Sequence, residues 1–337
     1  MASQSVSIDQ CFFWATEITR CHDYQTLTPV FIDLLKGFSW VESACAYEIY
    51  GDMKKRSTDK ADNNQMMITR LPLDLGADDT ENACPLLINR ELPKDVEIIT
   101  DHDKSQAILP ISTDTGPDRA IILEGSFDDE AVHLLGNLLK LFHNQIIIHD
   151  HKDRDVLTRL PNRQSLDARL MEVCEYYQKA KLTVNSEGKM SWIAILDIDH
   201  FKAVNDNFGH LYGDEVLLHF SQLMKNKFRY IDFLFRYGGE EFVVILNKAS
   251  RIEAEKCFDR FRQAVADYKF PLVGTVTVSI GFTCVQEQHV LPVTLLDRAD
   301  KALYYAKENG RNQVILFEDM MASQGEGDDS LGDIELF

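Results

Sequence analysis

Arg236-Tyr237-Gly238-Gly239-Glu240-Glu241-Phe242 is the stretch that decides how the second half of this 337-residue chain is read. Apolar runs flank it, Phe233 to Phe235 before and Phe242 to Leu246 after. Paired glycines between two such runs predict a tight hairpin with two carboxylates, Glu240 and Glu241, at its tip. Upstream, Trp192 to Leu196 is an apolar run ending in Asp197, the pattern of a buried strand. With these strands as neighbours, the acids converge on one edge of a sheet. Converging carboxylates at strand ends suit Mg²⁺, which prefers hard oxygens and completes its shell with water and substrate phosphates. Gly238 and Gly239 leave the backbone bare where a triphosphate must approach.

The residues after Asp197 extend the same chemistry. Lys202 offers a positive charge, and Asn205 and Asp214 offer the acceptors and donors that read a purine edge. Guanine presents N1–H and an N2 amine to an acceptor such as Asp214, whereas adenine presents no such pair. The surrounding pattern is α/β. Gly213 to Phe228, Arg251 to Tyr268 and Val293 to Glu308 read as helices, the last stopped at Asn309-Gly310, and Thr275 to Cys284 and Gln313 to Phe317 read as strands. Taken singly, Asp197 would serve as a helix cap and Gly-Gly-Glu-Glu as a plain turn. Their order along the chain is what is specific.

Those pieces, together with Asp155-Val156-Leu157-Thr158-Arg159-Leu160-Pro161-Asn162-Arg163, Asp197-Ile198-Asp199-His200-Phe201-Lys202, Phe208-Gly209-His210 and Gly310-Arg311-Asn312, make residues 155–317 resemble a GGDEF domain, the diguanylate cyclase family, in a Gly-Gly-Glu-Glu-Phe variant. The resemblance implies an α/β palm-like fold, a central and mainly antiparallel sheet wrapped by helices. It implies condensation of two GTP molecules into cyclic di-GMP with release of two pyrophosphates. By position, Asp197, Glu240 and the carbonyl of Ile198 match ligands of Mg²⁺, with Mn²⁺ as a substitute. Asn205, Asp214 and His210 match the substrate readers, Lys202 a charge stabiliser, and Lys307 and Arg311 the clamp on the distal phosphates. Glu240 or Glu241 matches the proton acceptor. Arg229 and Asp232 match an RxxD inhibitory site for the product, with Arg260 as a secondary contact. Because the product has two-fold symmetry and one site holds one GTP, the resemblance implies a homodimer. The competing reading is a non-enzymatic cyclic di-GMP receptor. Retention of the glycine–acid hairpin weighs against it.

Outside that region the sequence is less specific. Residues 1–126 mix helical and strand-like segments and resemble a GAF-like sensor domain, an α+β fold, with a PAS-like domain as the alternative. Cys45 to Tyr50 and Ala107 to Ser112 read as strands, and Thr113 to Asp118 as the turn of a hairpin continuing into Ala120 to Leu123. Asp52 to Asn64 reads as a surface loop. Cys45 and Cys84 read as core thiols, and His102 lacks metal-spaced partners. Residues 127–154 predict a helical linker whose leucine stripe either packs on its own domain or pairs with a second copy as a short coiled coil. Residues 318–337 carry seven acids and no base, the composition of a disordered tail.

Charge and cysteine usage narrow the class. Fifty-four acids against 35 bases leave a net charge of -19, a field that repels nucleic-acid backbones. Seven cysteines without a CxxC pair point to reduced thiols in a cytoplasmic protein. No basic leader followed by an apolar run opens the sequence, and no stretch approaches the length of a membrane span, so neither a signal peptide nor a membrane partner is expected.

Overall fold

The computed structural model describes residues 7–21, 24–50, 67–71, 84–88, 90–101, 104–113, 117–179, 189–229, 231–285 and 291–325. The 52–64 loop, His102 and the centre of the 113–118 turn lie outside those residues. The chain divides into two compact units, Met1–Asp153 and Arg154–Phe337.

The first unit contains α1 (Ile8–Arg20), α2 (Tyr24–Lys36), β1 (Val41–Tyr50), β2 (Met67–Leu71), β3 (Glu97–Asp101), β4 (Lys104–Ile111), β5 (Asp118–Gly125) and α3 (Asp129–Lys152). Its strands form an antiparallel sheet in the order β2-β1-β5-β4-β3. Strict alternation sorts the two faces. Ala107, Leu109, Ile121 and Leu123 join a core with Phe31, Leu35, Leu135 and Phe142 of the helices. Ile108, Ala120 and Ile122 point the other way, against Ile49, Ile68, Cys84 and Leu87.

Asp128 caps α3 by accepting from the Ala131 N–H at 2.8 Å, and Asp129 and Glu130 follow in its first turn. Leu135, Leu138, Phe142 and Ile146 are buried in the first unit, and Phe142 stacks on Phe31 with ring centroids 4.1 Å apart. The two packing options for the stripe therefore resolve: it is covered by its own domain. The separate helical linker expected over 127–154 is an integral element of the first unit.

The second unit contains α4 (Arg163–Lys179), β6 (Met190–Ile198), α5 (Phe201–Phe208), α6 (His210–Lys227), β7 (Phe233–Arg236), β8 (Glu241–Ala249), α7 (Arg251–Asp267), the short β9 (Lys269–Phe270) and β10 (Gly274–Thr275), β11 (Val278–Cys284), α8 (Pro292–Glu308), β12 (Val314–Leu316) and α9 (Phe317–Gly325). The main sheet runs β12-β11-β6-β8-β7, antiparallel throughout except for the parallel β11–β12 pair. Both faces are covered, so β6 reads as a continuous apolar run and not as an alternating one. Trp192, Leu196, Phe242, Val244, Ile280 and Phe282 face α6 and α7, where Phe220, Phe258 and Phe261 meet them. On the opposite face Gly281 lies directly beneath α8: a Cβ there would sit 2.1 Å from the Leu303 nitrogen and 2.3 Å from the Ala299 carbonyl oxygen.

The acidic tail is shorter than its composition implies. Residues 317–325 form α9, held by buried Met320, by Arg298 over the Phe317 ring, and by Glu318, which accepts from the Thr283 hydroxyl at 2.6 Å. Two apolar anchors outweigh the acids over that turn. Residues 326–337 lie outside the described residues.

Candidate active site

The site starts from the register of the sheet. Asp197, at the end of β6, pairs directly with Glu241, the first residue of β8. The Ile198 N–H donates to the Glu240 carbonyl at 3.3 Å, which holds the hairpin tip against the strand end. Asp197 is 5% exposed. Its carboxylate meets the Lys307 ammonium at 2.8 Å, Lys307 standing in the last turn of α8. Burial pushes the Asp197 carboxyl up; Lys307 opposes that push, Asp199 adds to it, and Arg311 opposes it. Glu240 and Glu241 are also pushed up, first by burial, then by the charge of Asp197, with Lys307 opposing. The charge of Asp197 thus acts on both glutamates, and Lys307 opposes the upward shift in all three acids. Among the described residues no group of three or more His, Cys, Asp or Glu is arranged to hold a metal by itself. Two carboxylates with the remaining positions left to water and phosphate is the donor set that Mg²⁺ accepts.

The paired glycines stand in the connection of an antiparallel hairpin. Residues 237–240 span the gap between β7 and β8, and neither Gly238 nor Gly239 has a positive φ. A Cβ added at Gly239 would meet nothing within 4 Å, and one at Gly238 would meet Glu241 Oε2 at 2.9 Å. The Glu241 side chain therefore curls back beneath the turn.

Arg236 holds this turn, a role the sequence reading did not assign. Its guanidinium donates to the Gly238 carbonyl at 3.2 Å, the Gly239 carbonyl at 2.8 Å and Asp155 Oδ1 at 2.8 Å. Asp155 also accepts from the Thr158 N–H and hydroxyl, both at 2.7 Å. Burial pushes the Asp155 carboxyl up, but the Thr158 N–H, the Arg236 guanidinium and the Thr158 hydroxyl together hold it below 3.8. A carboxyl depressed by folding contributes stability above its unfolded pKa and loses it as pH falls through the folded value. Asp155→Asn is expected to lower unfolding free energy at pH 7 by about 1–2 kcal/mol and to flatten the loss of stability below about pH 4. Urea titrations of parent and variant across that range check both.

Asp199 is a second positioning residue. It is buried and accepts from the Thr277 hydroxyl at 2.6 Å, the Ser279 hydroxyl at 2.7 Å and the Asn312 N–H at 3.0 Å. That anchors the turn after α8, where Arg311 and Asn312 adopt φ of 61° and 45°. Arg311 is in this way held within electrostatic range of Asp197.

The remaining expected residues stand on α5 and α6. Lys202, His210 and Asp214 are exposed and Asn205 is half-buried. Asn205 and Gly213 touch across the two helices: a Cβ at Gly213 would sit 2.0 Å from Asn205 Oδ1.

At the RxxD stretch the structure alters the expectation. The Asp232 side chain is 0% exposed. Its Oδ2 accepts from the Arg229 N–H at 2.9 Å and faces the Arg229 guanidinium at 3.5 Å, while Oδ1 accepts from the Asn247 N–H at 3.2 Å. Burial raises the Asp232 carboxyl and these partners oppose the shift. As it stands, this acid braces a turn and is closed to a guanine edge. Arg229 is the accessible member, and Arg260 lies along α7, donating to the Lys227 carbonyl at 3.4 Å.

No helix among the described residues is long and apolar enough to cross a membrane. Comparison with known proteins agrees with the geometry. The family model described as "Diguanylate cyclase, GGDEF domain" matches residues 152–313. Diguanylate cyclase DgcP of Pseudomonas aeruginosa is 37% identical over 192 residues, covering 55% of this chain and 27% of that protein. Diguanylate cyclase A of Treponema denticola is 33% identical over 196 residues, covering 56% of this chain and 51% of that protein. The chain thus spans about half or less of the length of these curated relatives. The crystal structure of the GGDEF domain of DgcB from Caulobacter crescentus in complex with c-di-GMP is similar at 31% identity, covering 49% of this chain and 96% of that one, with a TM-score of 0.45. Residues 152–313 thus match the GGDEF domain of the diguanylate cyclase family.

Proposed function

We propose that the chain is a diguanylate cyclase, which joins two GTP molecules by two 3′,5′-phosphodiester bonds and releases two pyrophosphates. The observation that supports this reading most is the Asp197–Glu240–Glu241 cluster with Lys307 at 2.8 Å from Asp197. Asp197 and Glu240, with the Ile198 carbonyl, would hold Mg²⁺ or Mn²⁺, which supplies charge neutralisation on the phosphates and lowers the pKa of a coordinated hydroxyl. Lys307 and Arg311 draw the distal phosphates, and Lys202 stabilises charge that develops on them. Asn205, Asp214 and His210 orient the guanine nucleotide. Glu240 is the better candidate to take the 3′-hydroxyl proton, since Glu241 curls beneath the turn. The attacking 3′-oxygen forms its bond to the α-phosphorus as pyrophosphate leaves in line. Each site holds one nucleotide, so two copies of the chain face each other as a homodimer, under control of the GAF-like first unit.

Incubation of the full chain with GTP and Mg²⁺, after removal of copurified nucleotide, tests the reading by mass-resolved chromatography. Cyclic di-GMP from the parent and none from Glu240→Ala is the expected result; a folded, dimeric parent that makes none refutes it. Gly213→Ala is expected to keep the fold, because the added methyl meets a movable side-chain oxygen. By displacing Asn205 it is expected to raise KM for GTP roughly tenfold, with a smaller change in kcat.

Product feedback at the RxxD stretch is part of the proposal in a restricted form. Arg229 is the initial contact, and Asp232 becomes available only when Arg229 releases it. Arg229→Ala is accordingly expected to lift inhibition by added cyclic di-GMP while leaving the initial rate with GTP near that of the parent.

A further inference from the structure

A groove of about 610 Å³ lies on the first unit between α3 and the segment around β3 and β4. Its basic lining is Lys94, His133, Lys140 and His143, against a single carboxylate, Asp95. Among the described residues neither lysine makes an ion pair. In a molecule of net charge -19, two lysines against one carboxylate around a single concavity are a local excess of positive charge. The walls between them are apolar: Leu92, Pro110, Val132 and Leu139.

The groove is also lined by Gly136, in the middle of a helix of 24 residues. A Cβ added there would meet nothing within 4 Å. Glycine is the least favourable ordinary residue in a helix interior, so α3 forgoes stability at a position where the chain itself has no use for the space. His133, Gly136, Asn137 and Lys140 follow at helical spacing on one face, turned away from buried Leu135, Leu138 and Phe142. That face is polar, with His133, Asn137 and Lys140 exposed, which suits a charged ligand better than the apolar helix of a second copy. The His143 Nε2–H donates to the Ser112 carbonyl at 2.9 Å. Since a carbonyl only accepts, the ring's proton is fixed on Nε2 and the ring is tied to the end of β4.

We propose that this groove binds a small organic anion, a carboxylate with an apolar body. Its charged end lies between Lys94 and Lys140 and its body over Gly136 against the apolar walls. The inference rests on the first unit alone and stands whether or not the second unit makes cyclic di-GMP.

Calorimetric titration of the full chain with naphthalene-1-carboxylate, and separately with uncharged naphthalene-1-carboxamide, tests it. The carboxylate is expected to bind and the amide to bind roughly tenfold more weakly or not at all. Lys94→Gln and Lys140→Gln are each expected to weaken the carboxylate by roughly fivefold to tenfold. Gly136→Leu is expected to abolish binding while melting no lower than the parent. Lack of binding at millimolar carboxylate overturns the proposal. So does equal binding of the amide, or unchanged binding by Gly136→Leu. A Gly136→Leu variant whose sedimentation shows loss of an oligomer overturns it too, since the face would then be an interface between copies.

Discussion

Gly281→Ala is expected to unfold the second unit or to destabilise it by more than about 4 kcal/mol. The reason is geometric. The added methyl would lie 2.1 Å from the Leu303 nitrogen, 2.3 Å from the Ala299 carbonyl oxygen and 2.7 Å from the Ala302 carbonyl carbon, all of them backbone atoms of α8. No side-chain rotation relieves such contacts, so α8 must lift off β11 as a whole. Because α8 carries Lys307 and leads into Arg311, even a partial lift would separate the cations from Asp197. Urea unfolding followed by tryptophan fluorescence at Trp192, buried in β6, reads the loss directly. A midpoint within a few tenths molar of the parent would show that the helix can shift at little cost.

The second large effect runs in opposite directions for activity and stability. Asp197→Asn is expected to lower cyclic di-GMP formation by roughly 10³-fold or more and to raise the stability of the nucleotide-free protein by about 1 kcal/mol. Asp197 is buried, and folding raises its carboxyl. A carboxyl raised by folding stabilises the fold only as pH drops toward that value; at pH 7 its ionised form is a penalty. Asparagine keeps the shape without the charge, and Lys307 retains Glu240 and Glu241 as neighbours. Thermal melts in a metal chelator, beside product assays in Mg²⁺, separate the two effects. A variant less stable than the parent would mean that the Lys307 pair outweighs the repulsion among the acids.

How much of this was legible in the sequence depends on what each residue bonds to. Strands bounded by turn residues and charge were readable as runs: Trp192 to Leu196 falls inside β6, and Phe242 to Leu246 inside β8. The meeting of acids at the sheet edge was readable as a condition on neighbouring strands, which the Asp197–Glu241 register meets. Roles that operate through backbone partners were not readable. Arg236 grips two carbonyls of the hairpin and Asp199 an amide 113 positions away, and no spacing rule reports such bonds. Asp232 was read as a ligand-facing acid because sequence does not distinguish an exposed carboxylate from one spent on the N–H groups of Arg229 and Asn247. Gly281 had a signal, an isolated glycine inside an apolar strand, which marks close approach of another backbone. In the tail, acid-rich composition masked Met320, and Phe317, read as the end of the last strand, instead opens α9.

The 113-residue separation between Asp199 and Asn312 also bears on how the protein is made. Synthesis proceeds from the N-terminus, so β6 and β8 exist, with their acids side by side, well before α8 and β12 have been translated. During that interval the cluster lacks Lys307, the sheet lacks its β11 and β12 edge, and Arg311 has no anchor. A nascent chain therefore carries the most charged part of its site without the counter-ions that will balance it. Pairing across so long a stretch of chain is slow to form. The site is consequently among the last features of the domain to be completed, and a ribosome-bound fragment ending before α8 lacks both Lys307 and Arg311.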